Sequence, residues 1–156
     1  MRFNPYDDVL VASSVVSSVA IQSLTGSSAV NGDSIDTAIT FDADSLMVHV
    51  RTEIASGTPT TATVAWALQE SSDNSTFAAA LDNTGTAIGS TINAHTVAND
   101  VYARVEGLMV NRKRYLRIVL TPAYTSGTSP ATLAFAEYIG TPGNAQVNAG
   151  RAASNT

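Results

Sequence analysis

The chain has 156 residues, 44% of them hydrophobic and only 13% charged, with a net charge of −5. That length fits one domain of roughly 100–200 residues, which buries about 68–70% of its unfolded surface and so forms a core without staples. The absence of cysteine excludes disulfides and thiolate metal sites, the acidic balance disfavours free nucleic acid without a local basic patch, and the hydrophobic content is too high for an unfolded chain.

Met1–Asp8 (MRFNPYDD) is short, polar-aromatic and contains a proline. Val9–Ile21 (VLVASSVVSSVAI) is similar to a signal-peptide core, but Asp7 and Asp8 stand where a basic region belongs, so it is read as part of the mature protein. Its apolar positions, extended to Asp8–Leu24, suit either an amphipathic helix or an extended arm, and the β-branched and serine content favours the arm. Every apolar run is interrupted before about 18 residues, so no transmembrane helix and no membrane partner is expected.

From there the pattern is alternation with period two, the mark of half-buried strands. In Ser45–Glu53, Leu46, Val48 and Val50 oppose Met47, His49 and Arg51. In Thr60–Glu70, Ala62, Val64, Trp66 and Leu68 form one face, which predicts a core tryptophan. Val101–Met109 reads as a further strand; Tyr115–Leu120 sets Leu116, Ile118 and Leu120 on one side, and Ala131–Ile139 sets Leu133, Phe135 and Ile139 against Thr132, Ala134 and Tyr138. Turn signals punctuate these runs at Asn31-Gly32-Asp33, Ser56-Gly57-Thr58-Pro59, Asp73-Asn74-Ser75, Asn83-Thr84-Gly85, Asn111-Arg112 and Ser126-Gly127. Short strands punctuated this often predict an all-β fold, an antiparallel β-sandwich or jelly roll, with residues 1–18 as an amino-terminal arm, 19–140 as the body and 141–156 as a tail almost without large apolar side chains.

Clusters that resemble chemistry have simpler readings. Gln69–Phe77 (QESSDNSTF) holds two carboxylates, several hydroxyls and an amide, but Asp73-Asn74-Ser75 are residues that bond their own backbone in tight turns, so a hairpin loop is expected. Asp42-Ala43-Asp44 lacks the series of 6–8 oxygen ligands that calcium takes, and Asp33 and Asp36 suit side-chain turns. The two histidines, His49 and His95, have no zinc-type spacing; His49 is expected half-buried or at a subunit contact, and His95 in a polar loop. No nucleophile elbow or phosphate loop occurs. The expectation is a non-enzyme with no catalytic residue, metal or cofactor. Asn111–Arg114 (NRKR), the basic cluster, is expected at a hairpin tip joining the strands on either side, either as a solvated turn or as a docking point for an acidic protein surface.

Val64–Phe77 (VAWALQESSDNSTF), Arg114–Arg117 (RYLR) and Ala134–Gly140 (AFAEYIG) resemble, in pattern order over roughly residues 19–140, the capsid decoration or cement proteins of tailed bacteriophages, which have a β-sandwich or jelly-roll body. Asn74 stands where glycine would be usual, a substitution asparagine tolerates because it accepts left-handed geometry. Met1–Thr25 is not covered. The resemblance implies a structural virion protein that binds the outer capsid surface and stabilises the shell, made in the host bacterial cytoplasm, with the major capsid protein as partner and no nucleic acid. It implies a homo-oligomer, a trimer at local three-fold positions with a dimer as the rival. The candidate contacts are Arg2, Phe3 and Tyr6 in the arm, Arg112, Lys113 and Arg114 in the basic cluster, and Gln146, Val147 and Arg151 in the tail. Two other readings are a tail, baseplate or fibre-associated virion protein and a carbohydrate-binding β-sandwich, the last testable at Tyr102 and Tyr124.

Overall fold

The computed structural model describes residues 14–40, 45–106 and 112–140. These form ten strands and one turn of helix: β1 (Ser14–Thr25), β2 (Val30–Asn31), β3 (Ile35–Asp36), α1 (Thr37–Thr40), β4 (Ser45–Thr52), β5 (Thr61–Ser71), β6 (Ala78–Ala79), β7 (Gly89–Asn93), β8 (Asn99–Glu106), β9 (Tyr115–Thr125) and β10 (Ala131–Gly140). One sheet has the order β1-β10-β4-β8; the other runs β2-β9-β5-β6, with β3 also on β9 and β7 also on β5. Every pairing is antiparallel. The fold is the expected all-β sandwich of jelly-roll type.

Alternation builds the core. Leu46, Val48, Val50 and Thr52 of β4, Ala62, Val64, Trp66 and Leu68 of β5, and Leu116, Ile118 and Leu120 of β9 are all buried. Each large aliphatic side chain removed from water in this way contributes about 1.5–3 kcal/mol. In β10, Thr132, Ala134, Ala136 and Tyr138 point inward, while Leu133 is exposed. The expected alternation is there, but both faces of β10 are apolar, so hydrophobicity alone does not say which one is buried. The space between the sheets takes two alanines beside one full-length tyrosine, and burial pushes the Tyr138 phenol above its ordinary range.

Three further boundaries differ from the sequence reading. Ser14–Ser18, assigned to the arm, belong to β1 and pair with β10 from Ser14↔Gly140 onward, so the Asp8–Leu24 ambiguity is settled as strand from Ser14. Two register shifts in β1 turn the adjacent Ser18 and Val19 both inward. There the Ser18 hydroxyl donates to the Asp33 carbonyl and accepts from the Ile118 N–H, tying the edge of one sheet to the other. Secondly, β9 runs through Pro122, paired with Val64. A proline is tolerated because β2 has ended by Leu120, so that among the described residues that side of β9 has no strand partner that needs its N–H. Thirdly, β8 and β9 are not a hairpin: they lie in different sheets, so Arg112–Arg114 sit on a crossing between layers. Period-two patterning places a strand and its faces; it does not choose the neighbour.

Candidate interaction face

The outer surface of the four-stranded sheet brings together the most chemistry. Its rows follow from register. Ser17, Glu137, His49 and Tyr102 are successive neighbours across β1, β10, β4 and β8, and Val15, Ile139, Met47 and Arg104 form the next row. His49 is buried rather than half-buried, at 7% exposure. Its Nδ1 lies 2.8 Å from Glu137 Oε1 and its Nε2 2.9 Å from Asp100 Oδ1. An imidazolium donates to both carboxylates, whereas a neutral ring donates to one. Tyr102 stacks on the imidazole at 4.4 Å and 4°, and Phe135 meets its edge at 5.3 Å and 86°. Beside it, Arg51 donates to Glu53 Oε1 through Nε and Nη2 and to Asp100 Oδ2 through Nη1.

The carboxylates flank the imidazole from opposite ring nitrogens and do not converge on a common point; among the described residues no three His, Asp or Glu side chains form a metal-binding group. What the face offers is contact area. Val15, Ile21, Met47, Tyr102 and Leu133 lie on it, five of the eight exposed large hydrophobic residues of the described chain. Exposed apolar area gathered on one face in this way marks an interaction surface.

The opposite sheet carries two of the three stretches that resemble decoration proteins, Val64–Phe77 and Arg114–Arg117, whereas Ala134–Gly140 lies in β10 of the four-stranded sheet. Gln69–Phe77 is the expected turn: β5 and β6 pair at Gln69↔Ala79 and Glu70↔Ala78, making a hairpin. Asp73 Oδ1 accepts from the Thr76 and Ser75 N–H groups and from the Ser71 hydroxyl, bonds that hold its carboxyl well below the usual range. Asn74 has φ of 57°, the left-handed geometry that its position demands. Phe77 lies under the Arg117 guanidinium at 4.1 Å, and Arg117 donates to Gln69 Oε1, so the QES turn and the RYLR strand are one packed unit. Trp66 is a core residue at 4% exposure, with its indole N–H donating to Ser90 Oγ at 2.7 Å. Gly89 is required next to it, because a Cβ there would collide with the Trp66 carbonyl.

Among the described residues of the basic cluster, Lys113 and Arg114 are exposed. Arg114 pairs with Asp36, donating through Nε and Nη2 at 3.0 and 2.7 Å, and this guanidinium holds the Asp36 carboxyl below its usual range. The Arg112 side chain is withdrawn to 6% exposure, pairs with Glu70 and donates to the Leu81 carbonyl. His95 lies in a loop, its N–H donating to Asn93 Oδ1. The Tyr124 hydroxyl donates to the Leu24 carbonyl, so of the two candidate sugar-binding tyrosines Tyr102 is the exposed one. Asp42, Asp44 and the candidate contacts Arg2, Phe3, Tyr6, Gln146, Val147 and Arg151 lie outside the described residues. Sequence patterning put His49 on the outward face of its strand; that Glu137 and Asp100 would meet it follows from pairings across 88 and 51 residues and has no local signal.

No family model matches the chain, and no curated protein sequence does. Solved structures similar to it include the CBM22-1 xylan-binding domain of Paenibacillus barcinonensis Xyn10C, at 12% identity over 83% of this chain and 82% of that one, with a TM-score of 0.46. Another is a chain of infectious bursal disease virus, Gx strain, at 9% identity over 81% of this chain but 32% of that one, with a TM-score of 0.45. A third is the enzymatically active domain of bacteriophage CBA120 tailspike protein 4, at 10% identity over 83% of this chain and 19% of that one, with a TM-score of 0.38. At scores this low the likenesses carry no weight on function, and the sandwich assignment rests on the strand order itself.

Proposed function

We propose that this chain is a non-enzymatic structural protein of a tailed-phage virion, which attaches to the outer capsid surface and stabilises the shell. The observation that carries the reading is the gathering of Val15, Ile21, Met47, Tyr102 and Leu133 on one outer sheet face. A broad face with few net charges suits extended protein contact, and a repeating lattice multiplies modest single contacts into firm attachment. The sequence resemblance supports it as well, since the QES turn and the RYLR strand pack as one unit. In this reading the partner is the major capsid protein and the attached form is a closed oligomer, a trimer at three-fold positions or a dimer at two-fold ones.

The test is to mix the purified protein with procapsids and with expanded capsids of the encoding phage and to image both by electron microscopy. Ordered density on the outer surface, with a fixed number of copies per capsomer, is the expected result. Density confined to the tail or baseplate, or none, overturns it.

One observation favours a second reading, a carbohydrate-binding sandwich. Tyr102 is 58% exposed and its ring is held flat against His49, which presents an open aromatic platform beside Arg51, Glu53 and Asp100. Glycan-array binding abolished by Tyr102→Ala, with no attachment to capsids, would select that reading instead.

A further inference from the structure

His49 lies on β4, the strand that β10 and β8 flank, and three strands contribute to its surroundings. Glu137 reaches Nδ1 from β10, where Phe135 also meets the ring edge; Asp100 reaches Nε2 from β8, and Tyr102 of the same strand covers the ring. The remaining charged groups close to it are Arg51 and Glu53, with Arg104 in the next row of β8. The two carboxylates are not equivalent. Half-buried Glu137 has the imidazole as its one hydrogen-bond partner among the described residues, whereas Asp100 is exposed and also accepts from Arg51 Nη1 at 3.3 Å. A neutral ring keeps one N–H, so one carboxylate then faces a nitrogen lone pair at hydrogen-bond distance, with no proton between and no room for water. Asp100 is the one that can leave, because Arg51 already holds its other oxygen and solvent is beside it.

We infer that His49 is a proton-operated clasp on the outer sheet face: protonated, it ties β10 to β8 through Glu137 and Asp100 and holds Tyr102 flat; deprotonated, it keeps Glu137 through Nδ1–H, releases Asp100 and loosens Tyr102. Histidine is the side chain that ordinarily changes charge between pH 5 and 8, so the clasp works in that window. Two effects act together on Tyr102. The ring loses a cation from its π-face when the imidazolium becomes neutral, and β8 loses a side-chain tie to β4 at Asp100, beside it in sequence. The charge of the face changes as well, because Glu137, Asp100 and Glu53 are then opposed at this cluster by the Arg51 guanidinium without the imidazolium. Tyr102 belongs to the exposed apolar group of the face, so a partner docked there is held more firmly on the acid side of the step. That effect on attachment rests on the proposed function; the clasp itself is a property of the free chain.

The test is nuclear magnetic resonance of the isotope-labelled full chain between about pH 5 and pH 8, with the ring nitrogens of His49 and His95 followed separately. Both His49 nitrogens should carry protons at the acid end and Nδ1 alone at the alkaline end. The Tyr102 ring signals should move with the His49 step and not with that of His95, and amide protection in β8 should fall by about tenfold across it, the factor that loss of one charge-assisted hydrogen bond supplies. Asp100→Asn separates the clasp from simple packing. Its amide can donate to the Nε2 lone pair, so His49 should still titrate while Tyr102 stays stacked throughout. Tyr102 signals that ignore the His49 step, an Nε2–H tautomer at the alkaline end, or an undiminished Tyr102 step in Asp100→Asn would each overturn the inference. Occupancy on expanded capsids should fall across the same step for the unmodified chain and stay level for Asp100→Asn. A step in the free chain with level occupancy for both would overturn attachment through this face and leave the clasp standing.

Discussion

Trp66 lies between Leu120 of β9 and Ser90 of β7 in register, at 4% exposure, with its one polar atom satisfied by the Ser90 hydroxyl. Trp66→Ala therefore removes a packed ring and strands Ser90, and should cost about 3–5 kcal/mol in chemical denaturation. A loss under about 1 kcal/mol would mean that the ring packs outside the sandwich. Thr52 is the opposite case. It occupies an inward position of β4, fully buried, and its hydroxyl has no hydrogen-bond partner among the described residues. Thr52→Val keeps the shape and removes the unsatisfied group, so it should raise stability by about 1 kcal/mol; a destabilised variant would show that the hydroxyl is bonded after all. The burial of Trp66 is legible from its spacing with Val64 and Leu68. The fit of a threonine into a core position is not, because polarity alone argues for the surface and only the facing layer decides.

At the scale of elements, the Asp73 turn gives a prediction in pH. Its carboxylate is held below the ordinary value of 3.8, first by the Thr76 N–H, then by the Ser71 hydroxyl and the Ser75 N–H. A carboxylate whose value is lower folded than unfolded binds fewer protons in the native state. Its stabilisation is thus fully present above the unfolded value and is lost as pH falls through the folded one. Asp73→Asn should lower the melting temperature at about pH 6 and flatten the fall in stability below about pH 4, the two curves converging in acid. Parallel curves would assign the acid sensitivity to other carboxylates, of which Asp36, paired with Arg114, is the first to test. This turn, β4, β5 and the buried side of β9 are legible because their signals are local: side chains that bond the backbone, and alternation with one clearly apolar face. β7 was not, since only Ile92 of its five residues is buried. Nor was the crossing from β8 to β9, which depends on which sheet each strand joins. The His49 site combines both limits, one member set by local alternation and two supplied by distant strands.

For the whole molecule, the question is which surface does the attaching, and the exposed apolar residues divide it cleanly. Met47 and Leu133 lie on the outer face of the four-stranded sheet at 40% and 47% exposure, whereas Val97, at 48%, lies in the loop before β8 and outside that face. Both kinds of residue are exposed, so Met47→Asp with Leu133→Asp, and Val97→Asp as its counterpart, should leave the fold within about 0.5 kcal/mol per site. Their effects on attachment should differ. Burying a large apolar side chain contributes about 1.5–3 kcal/mol, and a desolvated carboxylate in its place adds a penalty of its own. The double variant should therefore bind expanded capsids at least about tenfold more weakly per site, and lattice avidity should steepen that loss in occupancy measured by sedimentation with the shells. Val97→Asp should sediment like the unmodified chain. If the double variant co-sediments undiminished while Val97→Asp does not, attachment runs through the loops at the end of the sandwich, and the outer sheet face is free for the glycan reading centred on Tyr102.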